Sequence, residues 1–197
     1  MKIKALGAVR TVTGSCYRIE MENGHKVLLD CGLFQGGRQT ELRNANSDVY
    51  EPLKLSAIVL THAHMDHSGL VPRLVKAGYT GPVYATSATC ELLEILWLDA
   101  ANIQEQEAVW KSRKNNRQGK GKVEPLYTED DARQAMRLLR PLEFEEAFEV
   151  VPGLTLRCFP AGHILGAASI HLTAEENGRS HRVVFSGDIG RTDQILM

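Results

Sequence analysis

The sequence has no run of about 18 or more apolar residues, so no membrane-spanning helix is expected. Its N-terminus, MKIKALGAVRTVTGS, lacks the long apolar stretch of a secretory signal and reads as a first strand. An excess of one charge is missing too: 23 Lys and Arg against 24 Asp and Glu leave a net charge of −1. No global field therefore draws the chain onto a polyanion, and any such contact has to come from a local patch. The four cysteines, Cys16, Cys31, Cys90 and Cys158, form no C-x-x-C pair and no disulfide-like spacing. That pattern points to reduced, mostly buried thiols in a cytoplasmic protein. There is no internal repeat and no low-complexity tract. What is left is an ordinary globular composition, 43% apolar and 24% charged over 197 residues, long enough to bury a real core.

Residues 1–60 read as short strands closed by Gly, Asn or Asp: KIKALGAV, SCYRIEM and HKVLLDCG. Asn23-Gly24 suits a hairpin turn. LSAIVLT, residues 55–61, is almost continuously apolar, as a strand buried on both faces would be. Helical spacing follows from Ser68 to Ala77, with Leu70, Val71, Leu74 and Val75 on one face. GPVYATS (81–87) is another strand, leading into a long helix over roughly 88–114. That helix has an apolar half through Leu92, Leu93, Ile95, Leu96 and Leu98 and a polar half beyond. Trp97 and Trp110 on it read as core residues. Thr128 is an N-cap candidate for a second helix, with Glu129, Asp130 and Asp131 in its first turn, Arg137 and Arg140 in its last, and Pro141 ending it. LTLRCFPAG (154–162), ASIHLTAE (168–175) and HRVVFSGD (181–188) return to strands, with a second Asn-Gly turn in EENGRS. This order predicts a sheet-rich α/β domain with helices on its outer faces.

The chemistry concentrates in IVLTHAHMDHSGLVPRL. His62 and His64 lie two apart at a strand end, so extended geometry puts them on one side. Asp66 and His67 follow where strand gives way to helix, and the turn can aim them at a second point nearby. One motif can thus serve two adjacent metal positions. Imidazole and carboxylate donors suit Zn²⁺, with Mn²⁺ and Fe less favoured. More donors are needed than this stretch holds. His163 follows an apolar strand in FPAGHILGAAS, Asp188 ends another in VVFSGDIGR, and Asp30 ends a third in VLLDCG. Asp beside Gly is also an ordinary turn pair; taken together with the histidine motif, that plainer reading of Asp30 and Asp188 loses weight. All these strands deliver a polar residue to one rim of the sheet, where active sites commonly sit.

THAHMDHSG, LLDCG, AGHILGAAS and FSGDIGR, in this order, resemble the metallo-β-lactamase fold. GAVRTVTGSCY and the final GDIGRTDQIL further resemble the N-terminal part of the β-CASP nucleases, RNA-processing enzymes, over residues 2–197. The resemblance implies an α/β fold, a metallo-β-lactamase-like αββα sandwich incomplete at its C-terminus, with residues 1–197 as one such domain and the β-CASP domain absent. It implies two Zn²⁺ sites: His62, His64 and His163 on the first, Asp66 and His67 on the second, and Asp188 bridging both. Asp30 would orient a histidine from behind, and Asp66 would orient the attacking water or take its proton. Two such metals clamp a phosphate and ionise water near neutral pH, so the activity implied is phosphodiester hydrolysis of RNA.

KSRKNNRQGKGK (111–122), with six Lys or Arg and no acid, reads either as a phosphate-binding loop or as a solvated helix end. Enzymes of the subgroup continue well past this sequence, and a late histidine completes their second zinc site. Only nine residues follow Asp188 here, and none is histidine. The expectation is therefore a fragment that binds the first zinc better than the second, cuts RNA poorly or not at all, and exposes an apolar edge that favours self-association. Two other readings stand beside this one. A thioesterase or lactonase of the same fold would share the histidine motif. A non-catalytic scaffold subunit would usually have lost metal donors that this chain keeps.

Overall fold

The computed structural model describes residues 1–117, 119 and 121–191, with the backbone alone at residue 38. Two positions of the basic run, 118 and 120, and the tail from 192 lie outside the described residues. Two sheets pack face to face. The first has six strands in the order β1-β2-β3-β4-β5-β6: Lys2–Ala5, Tyr17–Glu20, Lys26–Leu29, Ala57–Val59, Val83–Thr86 and Leu139–Leu142. Its first three strands pair antiparallel, while β3 to β6 run parallel. The second sheet is antiparallel, in the order β10-β9-β8-β7, from Arg179–Phe185, Ala168–Glu176, Leu154–Pro160 and Phe148–Val151.

Strand β4 shows why the layers stack as they do. Ala57, Ile58 and Val59 are all fully buried, and alternate side chains face opposite ways. Ala57 and Val59 join Ile19, Val27 and Leu29 against Leu154, Leu156, Ile170 and Leu172 of the second sheet. Ile58 joins Leu28 and Val83 against Leu70, Leu74, Leu93, Trp97, Ala132 and Ala135 of the helices. The helical side carries α1 (Arg38–Glu41), α2 (Met65–Ser68), α3 (Val71–Lys76), α4 (Ser87–Asn116) and α5 (Glu129–Met136), with three 3-10 turns between residues 42 and 54. The outward positions of the second sheet, among them Arg157, His171, Glu175 and Arg182, are exposed.

Both Asn-Gly turns form, and at Asn177-Gly178 both residues take positive φ, as the tightest hairpin turn demands. The long helix runs 30 residues from its N-cap Thr86, about 45 Å. Helix α5 starts on a full capping box between Thr128 and Asp131. It stops earlier than its sequence suggests: Arg140 and Pro141 belong to β6, not to a last helical turn. A proline fits there because β6 is the sheet's edge, where a missing N–H breaks no ladder. Trp97 is fully buried, but Trp110 is 61% exposed, which corrects the reading of both as core. All four cysteines are unpaired and buried. No described helix is long and apolar enough to cross a membrane.

Candidate metal centre

Three strand ends meet at one rim. The chain leaving β4 brings His62 and His64, and the turn into α2 brings Asp66 and His67. The loop after β8 brings His163, and the loop after β10 brings Asp188. His64 Nδ1 lies 3.1 Å from His62 Nε2 and 3.0 Å from His163 Nε2. Asp188 turns one oxygen to each side: Oδ2 is 3.6 Å from His163 Nε2, and Oδ1 is 3.2 Å from His67 Nε2. Asp66 Oδ2 stands 4.0 Å from the same His67 nitrogen. The rim thus holds two donor groups, His62-His64-His163 and Asp66-His67, with Asp188 between them.

Glycines let the two loops come this close. Gly190 N donates to Ala161 O at 3.0 Å, and a Cβ on Gly190 would sit 1.7 Å from Gly162 O. Gly162 has φ +72°, where a side chain would also strike the Arg191 carbonyl. The His163 loop is held on its other flank by α4: the hydroxyls of Thr86 and Thr89 donate to Gly166 O at 2.6 and 3.0 Å.

Beneath the rim, Asp30 ties both donor groups together. It is 1% exposed and sits at φ +57°, a conformation that Asp tolerates better than most residues. Its carboxylate accepts from Thr61 N at 2.8 Å, from the Thr61 hydroxyl at 3.0 Å, and from His67 Nδ1 at 2.8 Å. Ser15 Oγ adds a longer contact at 3.4 Å. With its proton turned to Asp30, Thr61 Oγ1 accepts from His62 Nδ1 at 3.0 Å. Each relay places the proton on Nδ1 and leaves the Nε2 lone pair of His62 and His67 facing the rim. A cavity of about 380 Å³ opens beside His67 and Asp30, lined by Val12, Ser15, Phe185 and Asp188 among others.

The electrostatics follow from this packing. Burial, then the neighbouring His67, His64 and His163, push His62 down to about 2. Burial and His163 also lower His64, against the pull of Asp66 and Asp188. Burial acts downward on His67, but its hydrogen bond to Asp30 and the charges of Asp30, Asp188 and Asp66 outweigh it and raise the group. His62 and His64 are therefore neutral and free to donate lone pairs at ordinary pH. Their ring nitrogens and that of His163 stand only 3.0–3.1 Å apart at the two contacts they make. A tetrahedral ion with Zn–N bonds of about 2.0–2.1 Å spaces its nitrogens by about 3.3 Å. The donor set fits a divalent cation.

Every residue picked out in the sequence lies at this rim or directly behind it. Two partners were missed. Thr61 carries the link from His62 to Asp30, and Ser15 approaches the same carboxylate. The one available signal for Thr61 was a hydroxyl ending an otherwise apolar strand, directly before the first histidine. His25 pairs with Ser56 and His171 with the Phe159 ring, both away from the rim.

A three-layered α/β sandwich with imidazoles and carboxylates gathered on one rim defines a two-sheet fold that carries a group able to hold a metal ion. The chain belongs to the metallo-beta-lactamase superfamily, whose family model matches residues 9–197. It is 38% identical over 197 residues to "Ribonuclease TTHA0252" of Thermus thermophilus, covering all of this chain and 40% of that protein. It is 33% identical over 189 residues to "Transcription termination factor FttA" of Methanosarcina mazei, covering 95% of this chain and 27% of that one. The chain thus spans two fifths or less of the length of these relatives. Among solved structures, a metallo-beta-lactamase motif mutant of Cronobacter sakazakii superposes with a TM-score of 0.56 at 18% identity, over 95% of this chain and 61% of that one; this likeness concerns the fold alone.

Proposed function

We propose that this chain is the metal-binding portion of a β-CASP-type ribonuclease, a cytoplasmic zinc-dependent hydrolase of RNA phosphodiesters. The observation that carries the reading is Asp188, whose two oxygens face one histidine from each donor group. The name of the Thermus thermophilus relative, a ribonuclease, supports RNA as the substrate class. His62, His64, His163 and Asp188 would hold the first ion, and Asp66, His67 and Asp188 the second. When bound, such a pair supplies Lewis acidity and a water that ionises near neutral pH.

The protein's own part is positioning. Asp30 fixes the tautomer and angle of His67 directly and of His62 through Thr61. Asp66 is only half-buried, faces the space beside His67, and is the base we assign to the attacking water. Among the described residues, the second group has three protein donors where the first has four. We therefore expect weaker filling of the second site and weak cleavage by these 197 residues alone, with the remainder of a longer enzyme packing on this domain. The free, buried cysteines accord with a reducing compartment.

The test is hydrolysis of single-stranded RNA with added zinc, alongside a thioester and a lactone. Cleavage of RNA that is lost on His163→Ala and Asp188→Asn is expected. Turnover of the thioester or lactone with intact RNA would replace this reading by that of a small-molecule hydrolase.

A further inference from the structure

We infer that the exposed last turns of α4 form a docking surface for single-stranded RNA, separate from the metal centre; this rests on the ribonuclease reading above. Trp110, Arg113, Lys114 and Arg117 stand at i, i+3, i+4 and i+7, so they share one face of the helix. Trp110 is 61% exposed, and Lys114 Nζ lies 5.4 Å from its ring centroid. Among the described residues, no carboxylate lies within ion-pair distance of Arg113, Lys114 or Arg117, whereas neighbouring Lys111 is bound to Glu107 at 2.6 Å. Gly121 and Val123 are clipped back against the helix. Ser112 Oγ donates to Val123 O at 3.2 Å and accepts from Val123 N at 2.9 Å, and Asn115 Nδ2 donates to Gly121 O at 3.2 Å. Those bonds keep Lys122 beside the same end of the helix.

Cations in a last turn also offset the helix dipole. That accounts for the charges but leaves the exposed indole unexplained. A flat aromatic face flanked by unpaired cations matches one polymer, a polyanion with exposed bases. Stacking on Trp110 with phosphates on Arg113, Lys114 and Arg117 is the mode by which single strands are held without sequence preference. Charge complementarity argues against a protein partner of ordinary composition.

The two tryptophans make the test direct, because Trp97 is fully buried and Trp110 is not. Titration of the whole chain with short oligoadenylate, followed by tryptophan fluorescence and by sedimentation, is expected to quench Trp110. A duplex of equal length should not. Trp110→Ala should weaken binding about tenfold or more, and Trp110→Phe should keep it within a few-fold. Replacing Arg113, Lys114 and Arg117 together by Gln should flatten the log–log salt dependence by about two, at roughly 0.7 per phosphate. Binding without quenching, a preference for duplex, or a dimer that Trp110→Ala dissolves would each overturn the inference. RNA cleavage that depends on His163 while Trp110 stays unquenched sinks this surface and leaves the ribonuclease reading standing. Quenching without cleavage does the reverse.

Discussion

Asp30→Asn isolates the buried charge on which both donor groups rest. Asn keeps the side-chain shape and tolerates the same positive φ, so the backbone has no reason to move. The carboxylate accepts three short hydrogen bonds, from Thr61 N, the Thr61 hydroxyl and His67 Nδ1. An amide offers one oxygen and one NH₂, so at least one buried N–H ends up facing another donor. Leaving a buried donor unpaired costs about 1–3 kcal/mol. At roughly 2–4 °C per kcal/mol for a chain of this size, the metal-free protein should melt some 2–12 °C lower. Loss of the partner behind a metal-bound histidine typically costs about 10- to 100-fold in affinity. That is about 1.4–2.8 kcal/mol. Thermal melts in chelator and zinc competition against a chromophoric chelator measure the two effects separately. An Asp30→Asn protein that melts with the wild type and competes equally for zinc would refute the relay. Lower melting with unchanged zinc affinity would reduce Asp30 to a packing residue.

The two donor groups should separate by mutation: His163→Ala should remove the tighter ion and His67→Ala the weaker, as counted by calorimetric titration, while Asp188→Asn should weaken both. Acid should destabilise the metal-free fold through His62. Its folded value of about 2 lies below the ordinary 6.5, so the unfolded chain takes the proton first. Stability is intact above pH 6.5 and falls below it by on the order of 1.4 kcal/mol per pH unit for one proton. His67, raised instead, stabilises the folded state below pH 6.5 and loses that contribution as pH climbs through its raised value. Melts from acid to neutral pH should therefore show a shallower acid slope for His62→Asn than for the wild type; equal slopes would contradict the assignment. Gly32→Ala should abolish the site, since its Cβ would lie 1.6 Å from the Asp66 carbonyl oxygen; a variant that folds and binds two ions normally would show that the turn has slack.

The metal-competent residues were legible because their chemistry is dense and their neighbours are not. Four donors in six positions behind an apolar strand have no easy use in a core. Asp30, His163 and Asp188 stood out as polar residues at strand ends within two positions of a glycine. Thr61 was not legible, because a threonine ending a strand looks the same whether or not its hydroxyl relays a proton position. Strand β6 was hidden by its own composition: arginines followed by proline imitate a helix terminus, and only its place at the sheet edge makes Pro141 acceptable. The exposure of Trp110 was equally invisible. Helical periodicity says which residues share a face, not whether another element lies over it.

Asp188 has a consequence for how the protein fills. In the proposed two-ion filling one carboxylate serves both positions, so the cation held by the four-donor group has already oriented the oxygen that its successor needs. Loading then proceeds in sequence. When trace metal is scarce, molecules carrying one ion accumulate before any carries two. A rim built on a shared carboxylate would answer metal supply in two steps.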